Sequence, residues 1–127
     1  MYIPKMNAMT DRGEIVAFMK QFSFATIITA TENLPVATHL PFLVSDKDDK
    51  IILTSHFAKA NEHWAAVAEN KALVIFTEPH AYISPKNYDK ELNVPTWNYI
   101  SVHAYGQGRI VTQTDKVIEI LEATIGN

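Results

Sequence analysis

The apolar positions along the chain change period several times, and each change marks an element. An arm at residues 1–9 carries Tyr2, Ile3, Pro4 and Met6. Apolar side chains then recur at Ile15, Phe18, Met19 and Phe22. That spacing predicts a helix over about 11–21, capped by Thr10 or Asp11, with Glu14 in its first turn and a slight weakness at Gly13. Phe24 to Thr31 is dense in threonine and isoleucine, which favour strand. Glu32-Asn33 turns the chain into a second strand, Pro35 to Val44, and the pair reads as a hairpin. Pro41 cannot donate a ladder hydrogen bond, so it belongs at an edge, a bulge or a strand end. The T-H-L before it lies where backbone groups are left open.

A charged turn, Ser45 to Lys50, leads to a third strand at Ile51–Thr54. Helical period returns from Ala58 to Asn70, with Ala60, Trp64, Val67 and Ala68 on one face. Ala72–Phe76 is a short continuous apolar run, which predicts a strand buried on both faces. Glu78-Pro79 ends it, Ala81–Ser84 is a further strand stopped by Pro85, and Lys86–Asn93 is loop. A long strand follows over Val94–Gly108, reaching toward Val111. Thr114 then caps a last helix with Val117, Ile118, Leu121 and Ile125 inward, and Gly126-Asn127 is its C-cap.

The strand at 94–108 has an unusual face. Alternation places Thr96, Asn98, Ile100, Val102 and Ala104 on one side and Trp97, Tyr99, Ser101, His103 and Tyr105 on the other. The first side becomes apolar and can enter a core. The second is aromatic and polar throughout, and such a row meets a planar ligand, a partner chain or another layer of the protein. Spacing does not choose among these. The element order departs from strict βαβ alternation. Hairpins and many short strands point to an antiparallel sheet closing into a barrel, hence an α+β, mainly β fold.

Composition narrows the function. The chain has 127 residues, the size of one domain, and is 47% apolar and 20% charged, which is ordinary for a globular protein. No apolar run is long enough to span a bilayer, and no basic-then-apolar pattern opens the sequence, so secretion is not expected. The absence of cysteine removes disulfides, thiolate metal sites and a cysteine nucleophile, and fits the cytoplasm. The net charge is −3, and the eleven basic residues are scattered, with only Arg12 and Arg109 as arginines. Clustered cations dominate nucleic-acid affinity, so charge does not support direct DNA binding.

Two stretches offer ligand chemistry. T-S-H-F-A-K-A-N, residues 54–61, joins a strand to the expected helix. Thr54, Ser55, His56, Lys59 and Asn61 supply donors that suit a phosphate monoester at a helix start. The other reading makes Ser55 a helix cap and Lys59 a solvated lysine. In T-H-L-P, residues 38–41, the backbone and His39 line a flat ligand, or the stretch is a strand end with a surface histidine. The five histidines form no i, i+4 pair and no H-E-x-x-H, so no metal site is expected. There is no G-x-S-x-G, P-loop or G-x-G-x-x-G, so hydrolase-elbow, ATPase and Rossmann readings fail.

These stretches occur together in one known family. The opening M-Y-I-P, T-H-L-P at 38–41, S-H-F-A-K-A-N at 55–61, V-I-F-T-E-P-H-A-Y-I-S-P at 74–85 and V-P-T-W-N-Y-I-S-V-H-A-Y-G at 94–106 resemble the PaiB-like negative transcriptional regulators. The resemblance implies an FMN-binding split β-barrel, a six-stranded antiparallel barrel with flanking helices, forming one domain over 1–127. It implies a homodimer with FMN at the interface. The phosphate then falls to Ser55, His56, Lys59 and Asn61, with Thr54 beside them. The isoalloxazine ring lies along Thr38, His39 and Leu40, and Trp97, Asn98 and Tyr99 approach from the partner subunit or the dimer seam. Family members are usually longer, so the chain is expected to be a shortened member or a fragment. The family name implies repression, with DNA as a partner. The alternatives are an FMN-dependent oxidoreductase, in which His39 or His103 donates a proton near the ring, and a cofactor-free dimerisation domain.

Overall fold

The computed structural model describes residues 11–78, 81–83, 96–98, 100–113 and 116–126. The arm at 1–9, Thr10 and Tyr99 lie outside them. The first helix, α1 (Arg12–Gln21), forms where periodicity places it. Asp11 is its N-cap, and the Asp11 carboxylate accepts from the Gly13 N–H at 2.9 Å. Ile15, Val16, Phe18 and Met19 are buried, and Phe18 tilts against Phe22.

β1 (Phe24–Thr31) and β2 (Leu34–Pro41) form the expected hairpin, closed by Glu32 and Asn33 with φ of 52° and 66°. Two consecutive positive φ angles define the tight turn whose twist suits a two-residue hairpin. Asp48 and Asp49 repeat the device between β3 (Leu43–Lys47) and β4 (Lys50–His56). The expected single strand 35–44 is therefore two, divided at Phe42. Pro41 ends β2, which is an edge strand, as a residue without an N–H requires.

The remaining strands are β5 (Lys71–Thr77), the short pair β6 (Ala81–Ile83) and β7 (Thr96–Asn98), β8 (Ser101–Gln113) and β9 (Lys116–Gly126). The main sheet is antiparallel with the order β2-β1-β5-β8-β9-β4-β3, and β6 pairs with β7 separately. β2 and β3 sit on opposite edges of that sheet, yet only Phe42 separates them in the chain. One residue spans about 3.5 Å, so the two edges must meet there and the sheet must curl on itself. Phe42 is buried, and its N–H donates to the Ser23 carbonyl at 2.9 Å. The ladder does not close across the seam. The result is a split barrel, with seven strands where six were expected.

Four further expectations change. The stretch 116–126 is strand β9, not a helix. Its Val117, Ile118, Ile120, Thr124 and Ile125 are β-branched, and it pairs with β8 on one side and β4 on the other. Two long-range ladders override a helical spacing. The second helix, α2 (His63–Glu69), begins five residues later than expected, and Ala60 is exposed ahead of it. β5 buries Ala72, Val74 and Phe76 but leaves Leu73 and Ile75 partly exposed, so only one of its faces is wholly internal. Finally, 94–108 is not one strand. β7 ends at Asn98, Ile100 is exposed, and the Ile100 carbonyl accepts from the Glu78 N–H before β8 starts. From Ser101 onward the predicted alternation holds, with Val102 and Ala104 buried and Ser101, His103 and Tyr105 on the outer face.

The core lies inside the curl. Ala25, Ile27, Leu40, Ile51, Leu53, Val74, Phe76, Val102 and Ala104 meet there with the buried side of α1. α2 rests on β8 at Gly108, where an added Cβ would stand 2.6 Å from Val67 Cγ1 and 2.8 Å from the Val67 carbonyl oxygen.

Candidate functional site

The seam of the barrel brings the two chemistry-bearing stretches together. β3 pairs with β4 only as far as Leu43 opposite Thr54, so Ser55 and His56 continue without β3 beside them. β2 presents its own free edge from Leu34 to Pro41. Two hydrogen bonds bridge the gap. Ser55 Oγ donates to the Pro41 carbonyl at 2.6 Å, and Asn61 Nδ2 donates to Thr38 Oγ1 at 3.4 Å. T-H-L-P thus lies between the end of β4 and the 57–62 turn.

The individual residues divide by role. Ser55 is buried and its only O–H is committed to Pro41, so it holds the seam rather than capping a helix. Leu40 points into the core. Thr54 is half-buried, and His56 and Lys59 are exposed with no ion pair among the described residues. His39 is exposed, but its ring is fixed. Nδ1 shares a 2.9 Å hydrogen bond with Thr26 Oγ1, and Phe24 stacks on it at 6.4 Å and 18°. Trp97 and Asn98 lie in β7, opposite Tyr82 and Ala81. Tyr99 lies outside the described residues. The helix-start anion site is corrected, because α2 opens at His63 and Glu62 precedes it with no side-chain cap.

Sequence reasoning missed His63. It is buried beside the Phe57 ring edge, with Thr29 Oγ1 at 2.8 Å from Nε2 and Thr38 Oγ1 at 2.6 Å from Nδ1. Its backbone N–H donates to Asn61 Oδ1 at 3.0 Å. Burial lowers its pKa from the ordinary 6.5, so the ring is neutral at pH 7. The signal available in the sequence was N-E-H at the start of the apolar helical pattern, where a polar inward residue stands out.

The outer face of the sheet carries the third stretch. His39 pairs with Thr26, Thr26 with Ile75 and Ile75 with His103, one transverse row over four strands. Three strand spacings separate the two histidines by about 14 Å, too far to share a metal or a proton. No metal-binding cluster exists among the described residues. His103 Nδ1 is buried without a hydrogen-bond partner among the described residues, and desolvation lowers the pKa of the ring. The uncommitted Lys59 and the gap between T-H-L-P and the 57–62 turn fit a phosphorylated planar group, while the orphaned His103 nitrogen lies three strands away on the outer face. The Ser55 hydroxyl, being engaged, does not add a donor to that gap.

Comparison with known proteins gives the same reading. The whole chain, residues 1–127, matches the family described as "Putative FMN-binding domain". It is 43% identical over 121 residues to the protease synthase and sporulation protein PAI 2 of Bacillus subtilis, covering 94% of this chain and 58% of that protein. The chain spans about half the length of the curated relatives it matches. Among solved structures it is similar to the FAD and heme binding protein of Mycobacterium smegmatis, with a TM-score of 0.65 and 16% identity over 93% of this chain and 68% of that one. The FAD binding protein of the same organism gives 0.63 and 14% over 91% and 89%. At such identities these two likenesses establish the fold alone, the split barrel. No helix among the described residues is long and apolar enough to cross a membrane.

Proposed function

This chain belongs to the FMN-binding domain family, and from that premise we propose that it holds FMN in the seam of its barrel, at the interface of a homodimer. The observation that carries the reading is the convergence of T-H-L-P and S-H-F-A-K-A-N across a gap that no strand among the described residues fills. Lys59 and His56 take the phosphate, with Asn61 and Thr54 beside them. The backbone of Thr38, His39 and Leu40 forms the wall along the ring, Ser55 keeps that wall in place, and Trp97, Asn98 and Tyr99 approach from the partner subunit or the dimer seam. The dimer is supported by the outer face of β2, β1, β5 and β8. There Phe24 is 67% exposed and Ile28, Leu73, Ile75 and Tyr105 are only partly covered. Bound FMN supplies the redox chemistry itself, so the protein's part is to hold the ring and leave one side of it accessible.

The relative in Bacillus subtilis is named for protease synthesis and sporulation, and a regulatory role in the cytoplasm is the function we assign here. The scattered cations argue that such regulation does not run through strong direct DNA contact. A second reading, an FMN-dependent oxidoreductase, is favoured by His39, whose stacked and hydrogen-bonded ring stands ready beside the wall. A visible absorption spectrum is the first test. Protein that stays colourless after FMN is added would leave only a dimerisation domain. Lys59→Ala should weaken FMN, and unchanged affinity would move the phosphate elsewhere. Bleaching of the bound flavin by NADPH favours the enzyme, and a salt-sensitive shift of promoter DNA favours the regulator.

A further inference from the structure

We propose that His63 is a positioning residue that sets which way the Thr38 hydroxyl points, and thereby whether β2 offers the flavin pocket an acceptor or a donor. The inference rests on the flavin reading above for the location of Thr38, and on hydrogen-bond geometry for everything else.

A backbone N–H can only donate. The His63 N–H therefore requires the oxygen of the Asn61 amide, and this turns Asn61 Nδ2 toward Thr38 Oγ1. Thr38 Oγ1 thus accepts from Asn61. Its own hydrogen lies along the 2.6 Å contact to His63 Nδ1 in the arrangement that sets one donor rather than two against Oγ1. With Nδ1 accepting, the neutral ring carries its proton on Nε2, which donates to Thr29 Oγ1 at 2.8 Å. The chain runs head to tail, Asn61 to Thr38 to His63 to Thr29, and each bond polarises the next. Thr38 is half-buried, and the one lone pair the chain leaves free on Oγ1 is an acceptor. The opposite ring tautomer would donate from Nδ1, place two donors against Oγ1 and send the Thr38 hydrogen outward. Thr29 is 3% exposed on the inner face of β1, away from the seam, so it controls the tautomer without touching a ligand there.

The test uses the whole chain. Long-range proton–nitrogen spectra of the imidazole rings, recorded without flavin, should show His63 protonated at Nε2. Thr29→Val should move that proton toward Nδ1, and Thr29→Ser should restore it. FMN titrated by fluorescence should bind Thr29→Val roughly five- to tenfold more weakly than wild type, the worth of one hydrogen bond, and Thr29→Ser normally. Should Thr29→Val fail to fold, Thr38→Val and Thr38→Ser carry the same contrast at the other end of the ring. A wild-type His63 protonated at Nδ1 overturns the inference. So does a Thr29→Val protein that binds FMN as wild type does. Wild-type protein that takes up no FMN overturns the flavin reading as well, and only that result does so.

Discussion

The two helices are fastened to the barrel by opposite means. α1 is held by oil. Four of its ten residues are buried, Met19 completely, and its side-chain hydrogen bonds to the barrel among the described residues are those of the Arg12 guanidinium on Asp46, at 2.7 Å and 3.3 Å, on the surface. α2 is held largely by hydrogen bonds. It buries only Val67 and His63. His63 bridges Thr29 and Thr38 at one end. At the other, Gln107 donates to the Ala68 carbonyl at 3.2 Å, and Asn70, the C-cap of the helix, donates to Thr31 Oγ1. Apolar contact is indifferent to direction, whereas hydrogen bonds fix orientation. α1 stabilises the fold, and α2 orients the wall on which the flavin is proposed to lie.

That contrast can be broken by experiment. Met19→Ala should lower stability most, by about 2–5 kcal/mol, through the cavity it leaves. Urea unfolding measures the loss, and FMN affinity at temperatures where the variant is folded should not move. Gly108→Ala forces a methyl against the backbone of α2, and overpacking of this kind costs about 1–3 kcal/mol. Because α2 must shift, FMN affinity should fall with it, which flavin fluorescence would report. A variant that loses stability yet binds flavin normally would detach α2 from the site.

Acid should act through α2 and spare α1. The His63 pKa lies below 6.5 in the folded protein, so below about pH 6.5 the unfolded chain takes up a proton that the folded one refuses. Stability therefore rises with pH through that window and is lost as pH falls, with His103 adding in the same direction. The urea midpoint of wild type should drop between pH 8 and pH 5.5, and His63→Gln should flatten the dependence. The smallest effect is expected at the polar tie of α1. The hydrogen bond from Arg12 lowers the Asp46 pKa, but both groups are solvated. Asp46→Asn should barely shift the midpoint, and added salt should erase the difference.

Much of this fold could be read from the sequence where a local rule sufficed. Asp11 and the apolar spacing of 15–22 gave α1, and Glu32-Asn33 gave the first hairpin. Pro41 marked the seam because its missing N–H has a purely local consequence. The failures came where tertiary pairing decides. Val117, Ile118, Leu121 and Ile125 satisfy a helical spacing, and only the vacancy between β8 and β4 makes them a strand. At the site, the two motifs were legible as donors, and their meeting at the seam was not. Ser55 could be named as polar, but the Pro41 carbonyl that engages it lies on another strand. His63 escaped because its partners, Thr29 and Thr38, are distant in sequence and unremarkable in type.

The place of β9 in the sheet has a consequence for how the molecule assembles. This late strand lies between β8 and β4, and joins the half built from β2, β1, β5 and β8 to the half built from β4 and β3. Ile51 must find Ala123 before those halves become one sheet. Contacts of such sequence separation form slowly, because the entropy of closing the intervening chain is lost before the pairing compensates it. Contact order thus predicts that insertion of β9 comes late in folding. A chain stalled before it exposes two unpaired strand edges, β8 and β4, each a template for a neighbouring molecule.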